Sequence, residues 1–139
     1  MRDFFALRTI GILYLGKRLQ GWRGMELIEK NWHLVEEMTQ RLKELKPYKV
    51  ILFGSYANGN PTEDSDLDVA VILDSDEIAE QFAERMDRWR PVARAVREVH
   101  YQIAMDIIVY SRAEIDYLKE SGNSFVKEIE NTGKVLYEK

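Results

Sequence analysis

Val50-Ile-Leu-Phe-Gly-Ser-Tyr-Ala-Asn-Gly-Asn-Pro-Thr-Glu-Asp-Ser-Asp-Leu-Asp-Val-Ala-Val-Ile-Leu73 is the stretch from which the rest of this chain is read. Val50 to Phe53 is a short apolar run that predicts a buried strand. Gly54-Ser55 breaks the run, and a polar loop rich in Gly, Asn and Pro leads into a second strand headed by Asp66 and Asp68. Side chains two apart on a strand project to one face, so these carboxylates stand side by side. Adjacent carboxylates repel each other and resist desolvation. A divalent cation between them relieves both costs, and hard oxygen donors suit magnesium. Ahead of them, Gly54 permits a close backbone approach to a ligand, and the Ser55 hydroxyl with neighbouring N–H groups suits a phosphate oxygen. Phosphate-binding groups beside metal-binding carboxylates are the layout of a nucleoside-triphosphate site.

Beyond Asp68, both faces of the second strand are apolar: Val69, Val71 and Leu73 on one, Ala70 and Ile72 on the other. The strand should therefore be covered on both sides. Asp74-Ser-Asp-Glu77 is expected to end it and cap the next helix, where acids favour the helix dipole; these acids are not assigned to the site. Upstream, Leu27, Ile28, Trp32, Val35, Met38, Leu42 and Leu45 recur at spacings of three and four. They predict a helix over 26–46, stopped by Pro47, with Trp32 and Met38 in the core. His33 falls on the polar side, far in sequence from His100, and nothing pairs the two as metal ligands.

Downstream, Ile78, Phe82, Met86, Trp89, Val92, Val96 and Val99 predict a helical region. A break is expected near Trp89-Arg90-Pro91, since proline removes a backbone hydrogen bond. Arg85, Arg88, Arg90, Arg94 and Arg97 read as a solvated face paired with Glu80, Glu84, Asp87 and Glu98, in preference to contacts with phosphate or a partner. Tyr101 to Tyr110 is expected to be a third strand with Asp106 in its middle. A carboxylate in a buried strand is costly unless it is paired or bound to a metal. Asp106 is therefore read as a third site carboxylate that meets Asp66 and Asp68 across adjacent strands. Ser111 and Glu114 fit a capping box opening a helix to about Lys119. Glu120 to Ser124 is a turn, a further helix stops at Asn131-Thr-Gly133, and Lys134 to Tyr137 is a short apolar segment.

The chain has 139 residues, which suits one domain, and no internal repeat or linker divides it. It has no cysteine, which excludes disulfides and thiol catalysis and fits a cytoplasmic protein. A net charge of −4 offers nucleic acid no general attraction. Residues 1–24 differ, with five basic residues against one acid and an apolar part too short to span a membrane. They lack the layout of a targeting segment. They are expected to be an extension without catalytic role, ahead of a domain over 25–139.

Gly54-Ser55, then Asp66-Leu-Asp68 after ten residues, with Asp106 on a later strand, resembles the DNA polymerase beta-like nucleotidyltransferase superfamily. Within it the chain looks most like the minimal nucleotidyltransferases, small single-domain proteins often paired with a HEPN-domain toxin. The resemblance covers Met25 to the end and includes the closing Asn123 to Tyr137. It implies an α/β fold, with a short mixed sheet and helices packed on it in the manner of a polymerase beta-like palm. It implies that Gly54, Ser55 and Ser65 bind the nucleotide and that Asp66, Asp68 and Asp106 hold two magnesium ions, with Asp106 helping to deprotonate the attacking hydroxyl. Many relatives carry arginine, a contact to phosphate or partner, where this chain has Asn58. The leading expectation is Mg-dependent transfer of AMP from ATP to a tyrosine of a HEPN toxin, by an antitoxin that forms a hetero-oligomer with it. The alternatives are an antitoxin that acts by binding alone and a nucleotidyltransferase of small molecules. No membrane and no direct nucleic-acid contact is expected.

Overall fold

The computed structural model describes residues 22–139. Helix α1 (Trp22–Lys43) leads to strand β1 (Lys49–Phe53), the short helix α2 (Gly54–Asn58) and strand β2 (Leu67–Leu73). Helices α3 (Phe82–Ala95) and α4 (Arg97–His100) precede β3 (Met105–Ser111); α5 (Arg112–Glu120), α6 (Ser124–Thr132) and β4 (Lys134–Glu138) complete the chain. The four strands form one mixed sheet in the order β3-β2-β1-β4. β1 runs antiparallel to β2 and β4, and β2 runs parallel to β3. The end of β1 and the starts of β2, β3 and β4 therefore meet at one end of the sheet, where Leu52 pairs with Lys134, Phe53 with Asp68, and Asp68 with Asp106.

Helices cover both faces of the sheet. On one, Val50, Leu52, Leu67, Val69 and Val71 meet Ile28, Val35, Met38 and Leu42 of α1 and Val92, Val96 and Val99 of the α3–α4 segment. On the other, Ile51, Phe53, Ala70 and Ile72 meet Ile129 and Phe125 of α6 and Ile115 of α5. Trp32 and Met38 are buried as the periodicity implied, and His33 and His100 are exposed. The two-faced apolar pattern of β2 is satisfied at every position from Val69 to Ile72. Among the described residues no helix is long and apolar enough to cross a membrane.

Several boundaries differ from the sequence expectation. α1 spans Trp22–Lys43 in place of 26–46, and ends before Lys46, whose φ of 54° ahead of Pro47 cannot continue a helix. Its first turn includes three residues, Trp22 to Gly24, of the segment expected to be an extension without catalytic role. A Cβ on Gly24 would lie 2.8 Å from the Gly59 carbonyl oxygen, so α1 begins against the loop that follows α2. Residues 1–21, the rest of that segment, lie outside the described residues. The polar stretch after Phe53 is a five-residue helix at its start and a loop only after Gly59, whose φ of 82° closes it.

Asp74 and Asp76 do not cap a helix. Asp74 pairs with Arg112 at 3.2 Å and Lys139 at 2.6 Å, and Asp76 pairs with Arg112. α3 starts later, at Phe82, where Gln81 and Glu84 form the capping box. It continues through Pro91, and the break falls at Val96 (φ −107°, ψ 14°). Pro91 faces solvent, as does Asp87 one turn before it, so water can serve the carbonyl that loses its partner. The arginines pair only in part as expected: Arg90 meets Asp87, but Arg88 reaches Glu114 on another helix.

Glu114 is a hub. Its carboxylate accepts from Ser111 N–H at 2.8 Å in the expected capping box, from Ala79 N–H at 3.0 Å, and from the Arg88 guanidinium. It thus ties α5, α3 and the irregular segment 75–81 together. Burial raises its carboxyl pKa, but the Ser111 and Ala79 N–H bonds and Arg88 outweigh this and hold it below the usual value. Its stabilisation is present above the ordinary glutamate range and fades as pH falls through the lowered pKa. Glu114→Ala is expected to cost about 2–4 kcal/mol in chemical denaturation at neutral pH, because it strands two N–H donors and a largely buried arginine. That cost should shrink in acid.

Candidate active site

The row Phe53–Asp68–Asp106 runs across three adjacent strands, and register partners share a face of the sheet. By alternation this is the face of Ala70, Ile72 and Ile108, the one covered by α5 and α6. Phe53 meets Phe125 edge to face at 5.3 Å, so the apolar layer reaches Phe53 and gives way to carboxylates in the next two strands. Asp66 sits immediately before β2, exposed, and Asp68 is half-buried. Burial first, then the neighbouring charges of Asp106 and Asp66, push the Asp68 carboxyl up to about 6. Asp66 and Asp106 therefore both lie within electrostatic reach of Asp68.

Asp106 arrives there differently from the expectation. It is the second residue of β3 and is exposed, not buried in mid-strand. Residues 101–103 finish the helical turns of α4, with Tyr101 N–H bonded to Arg97 O and Ile103 N–H to Val99 O, so the strand begins only at Met105. The desolvation argument for Asp106 thus fails, while its juxtaposition with Asp68 stands on the register alone.

Gly54 has a φ of 72°, in the left-handed region, and a Cβ placed on it would lie 2.0 Å from Asp68 Oδ2. The close approach at this glycine is to the carboxylate itself: only a residue without a side chain leaves room for Asp68. Ser55 is half-buried on α2, and among the described residues its hydroxyl has no hydrogen-bond partner. Ser65 is committed to its own turn, where its hydroxyl accepts from Thr62 N–H at 2.8 Å and its N–H donates to Thr62 O at 3.1 Å. It shapes the approach to Asp66.

Sequence reasoning missed a second wall. A polar cleft of about 590 Å³ opens beside Ser65 and Asp66, lined by Arg23, Lys30 and Asn31 of α1, by Tyr56, and by Gln102 ahead of β3. Asn31 donates to the Tyr56 hydroxyl at 2.8 Å, which pins α2 to α1, and Arg23 pairs with Glu63 across the cleft mouth. No spacing rule reveals these residues, since they come from α1, α2 and the segment ahead of β3, and only the packing of these elements brings them together.

The donor set suits a hard divalent cation, and the mutual repulsion recorded at Asp68 is what such an ion would relieve. The carboxylates lie beside one another without converging: among the described residues no group of three or more His, Cys, Asp or Glu side chains encloses a metal position. Closing around an ion would take side-chain rotation at Asp66 and Asp106, which their exposure allows.

The raised Asp68 pKa fixes a sign. The native state holds that proton up to about pH 6 while the unfolded chain releases it near the ordinary aspartate value, so ionisation destabilises the fold as pH rises between the two. In thermal melts without divalent cations, Asp68→Asn is expected to melt above wild type at pH 8, and the gap should close near pH 4. Magnesium should raise the wild-type melting temperature at pH 8 and leave the variant almost unmoved. Gly54→Ala should cost at least about 1–2 kcal/mol from its backbone conformation alone.

The geometry has counterparts in known proteins. Residues 34–137 match the family described as "Nucleotidyltransferase domain". A protein of Methanocaldococcus jannaschii named "putative protein adenylyltransferase" is 32% identical over 109 residues, which span 78% of this chain and 97% of that one. In fold, the chain is similar to the crystal structure of a "putative nucleotidyltransferase" from Sulfolobus solfataricus, with a TM-score of 0.56 and 19% identity over 87% of this chain and 92% of that one. A match over most of the chain, a full-length relative at this identity and a mixed sheet that brings the Gly-Ser and Asp-x-Asp elements together agree: the chain belongs to the nucleotidyltransferase domain family of the polymerase beta-like superfamily, and it is a nucleotidyltransferase.

Proposed function

We propose that this protein transfers AMP from ATP to a hydroxyl, a tyrosine side chain, of a HEPN-domain toxin, and so acts as the antitoxin of the pair in a cytoplasmic hetero-oligomer. The observation that carries the chemistry is the register of Asp68 against Asp106, with Gly54 cleared of any side chain in front of them. The name of the Methanocaldococcus jannaschii relative supports a protein as acceptor.

In this reading the acceptor oxygen attacks the α-phosphorus, the bond to the bridging oxygen of the β-phosphate breaks, and pyrophosphate leaves. Ser55, whose hydroxyl has no hydrogen-bond partner among the described residues, donates to the triphosphate, and Ser65 keeps the turn before Asp66 in place. Asp106, exposed at the rim, takes the proton of the attacking hydroxyl. Asp66, Asp68 and Asp106 would hold magnesium, which when bound neutralises charge on the phosphates. The strand ends supply rigidity, so the carboxylates keep their spacing while a substrate binds.

The test is the intact mass of a HEPN-domain partner after incubation with this protein, ATP and magnesium. A gain in units of AMP is expected, reduced by about 10²–10³-fold or more in rate by Asp66→Asn or Asp106→Asn. A stable complex with no mass gain would overturn the reaction and leave an antitoxin that works by binding.

A further inference from the structure

A groove of about 550 Å³ lies outside the carboxylate site, along α3 and α4. Trp89, Ala93 and Tyr101 form an apolar floor, and Arg90, Arg94 and Arg97 form its rim; among the described residues no acid lines it. Arg90 is partly neutralised by Asp87 at 3.1 Å. Arg94 and Arg97 are exposed and have no ion pair among the described residues. Residues 1–21 contain a single acid, Asp3, against four basic residues, so they hold little to neutralise this rim. Tyr101 is 75% exposed and stands together with Trp89 in this groove.

The groove borders β3, on the helices that cover the sheet face opposite the carboxylate row. The Trp89 indole N–H donates to the carbonyl of Ile107 at 3.1 Å, and Ile107 follows Asp106 directly. Tyr101 stands in the segment that leads into β3. A chain lying in the groove therefore runs beside the strand that carries the carboxylate assigned to the acceptor. Trp, Tyr and Arg are also the residue types that dominate binding energy at protein interfaces.

We infer that this groove docks the protein acceptor through an acidic segment bearing an aromatic side chain: the aromatic group against Trp89 and Tyr101, the acids against Arg94 and Arg97. The apolar floor favours a polypeptide over a nucleic acid, whose charge would be met along the rim alone and opposed by a net charge of −4. The inference rests on the reading of the acceptor as a protein and adds the surface that selects it.

The test is fluorescence anisotropy with the full-length protein and no nucleotide, using a labelled random copolymer of glutamate and tyrosine. A lysine–tyrosine copolymer and a short single-stranded RNA run in parallel. The glutamate–tyrosine copolymer is expected to bind at low salt. Its affinity should fall at least about tenfold in Arg94→Glu/Arg97→Glu, less in Arg94→Gln/Arg97→Gln, and also in Tyr101→Ala. The lysine copolymer should not bind, and thermal melts of these surface variants should match wild type. Absent binding, equal binding by wild type and the charge-reversed variant, or RNA as the ligand released by the substitutions would each overturn the docking role. Because no transfer is read, failure here is distinct from failure of the AMP-transfer reaction, which the partner's mass reports.

Discussion

Like charges held in one row constrain this molecule more than any other feature. Asp68 stands between Phe53 and Asp106 on three adjacent strands, with Asp66 two residues away, and its carboxyl is pushed up to about 6 by burial and by those two neighbours. Such an arrangement destabilises the fold at neutral pH and survives because the rest of the sheet overrides it. Around this row, Val50, Leu52, Leu67, Val69, Ala70 and Val71 are almost wholly removed from water, each worth about 1–3 kcal/mol on the larger side chains. Gly54 completes the constraint from the other side, since any side chain there would occupy the space of the Asp68 carboxylate.

The two faces of the sheet divide the labour. α1 and the α3–α4 segment bury one face in a large cluster, while α5 and α6 cover the other with fewer residues and reach the strand ends only at Phe53 and Phe125. The carboxylates lie where that thinner cover stops. Their placement at strand starts gives precision that a loop would not, and the partly exposed rim leaves room for a triphosphate and an acceptor to approach.

The edges of the sheet are managed in different ways. At β3 the Trp89 indole occupies the Ile107 carbonyl, which blocks further strand pairing and gives the groove its floor. At β4 the register against β1 shifts so that Val50 pairs with Tyr137 and Ile51 with Val135, which leaves Leu136 as an extra residue, and Lys134 adds charge. Both devices discourage edge-to-edge association, and the one at β3 comes from a helix that also presents aromatic and cationic side chains along that edge.

The amino-acid sequence by itself determined the α/β class, the two strands flanking Gly54-Ser55 and Asp66-Leu-Asp68, the burial of Trp32 and Met38, and the Ser111–Glu114 cap. Each is a local matter of apolar periodicity or of side chains reaching backbone a few residues away. Only the tertiary structure decided that Pro91 stays inside a helix, that Asp106 sits at a rim, that Arg88 pairs with Glu114, and that Arg23, Asn31 and Tyr56 line a cleft beside Asp66. Those outcomes depend on which elements distant in sequence are brought against one another. Periodicity assigns a residue to a face of its own element, but it does not say what another element places opposite that face.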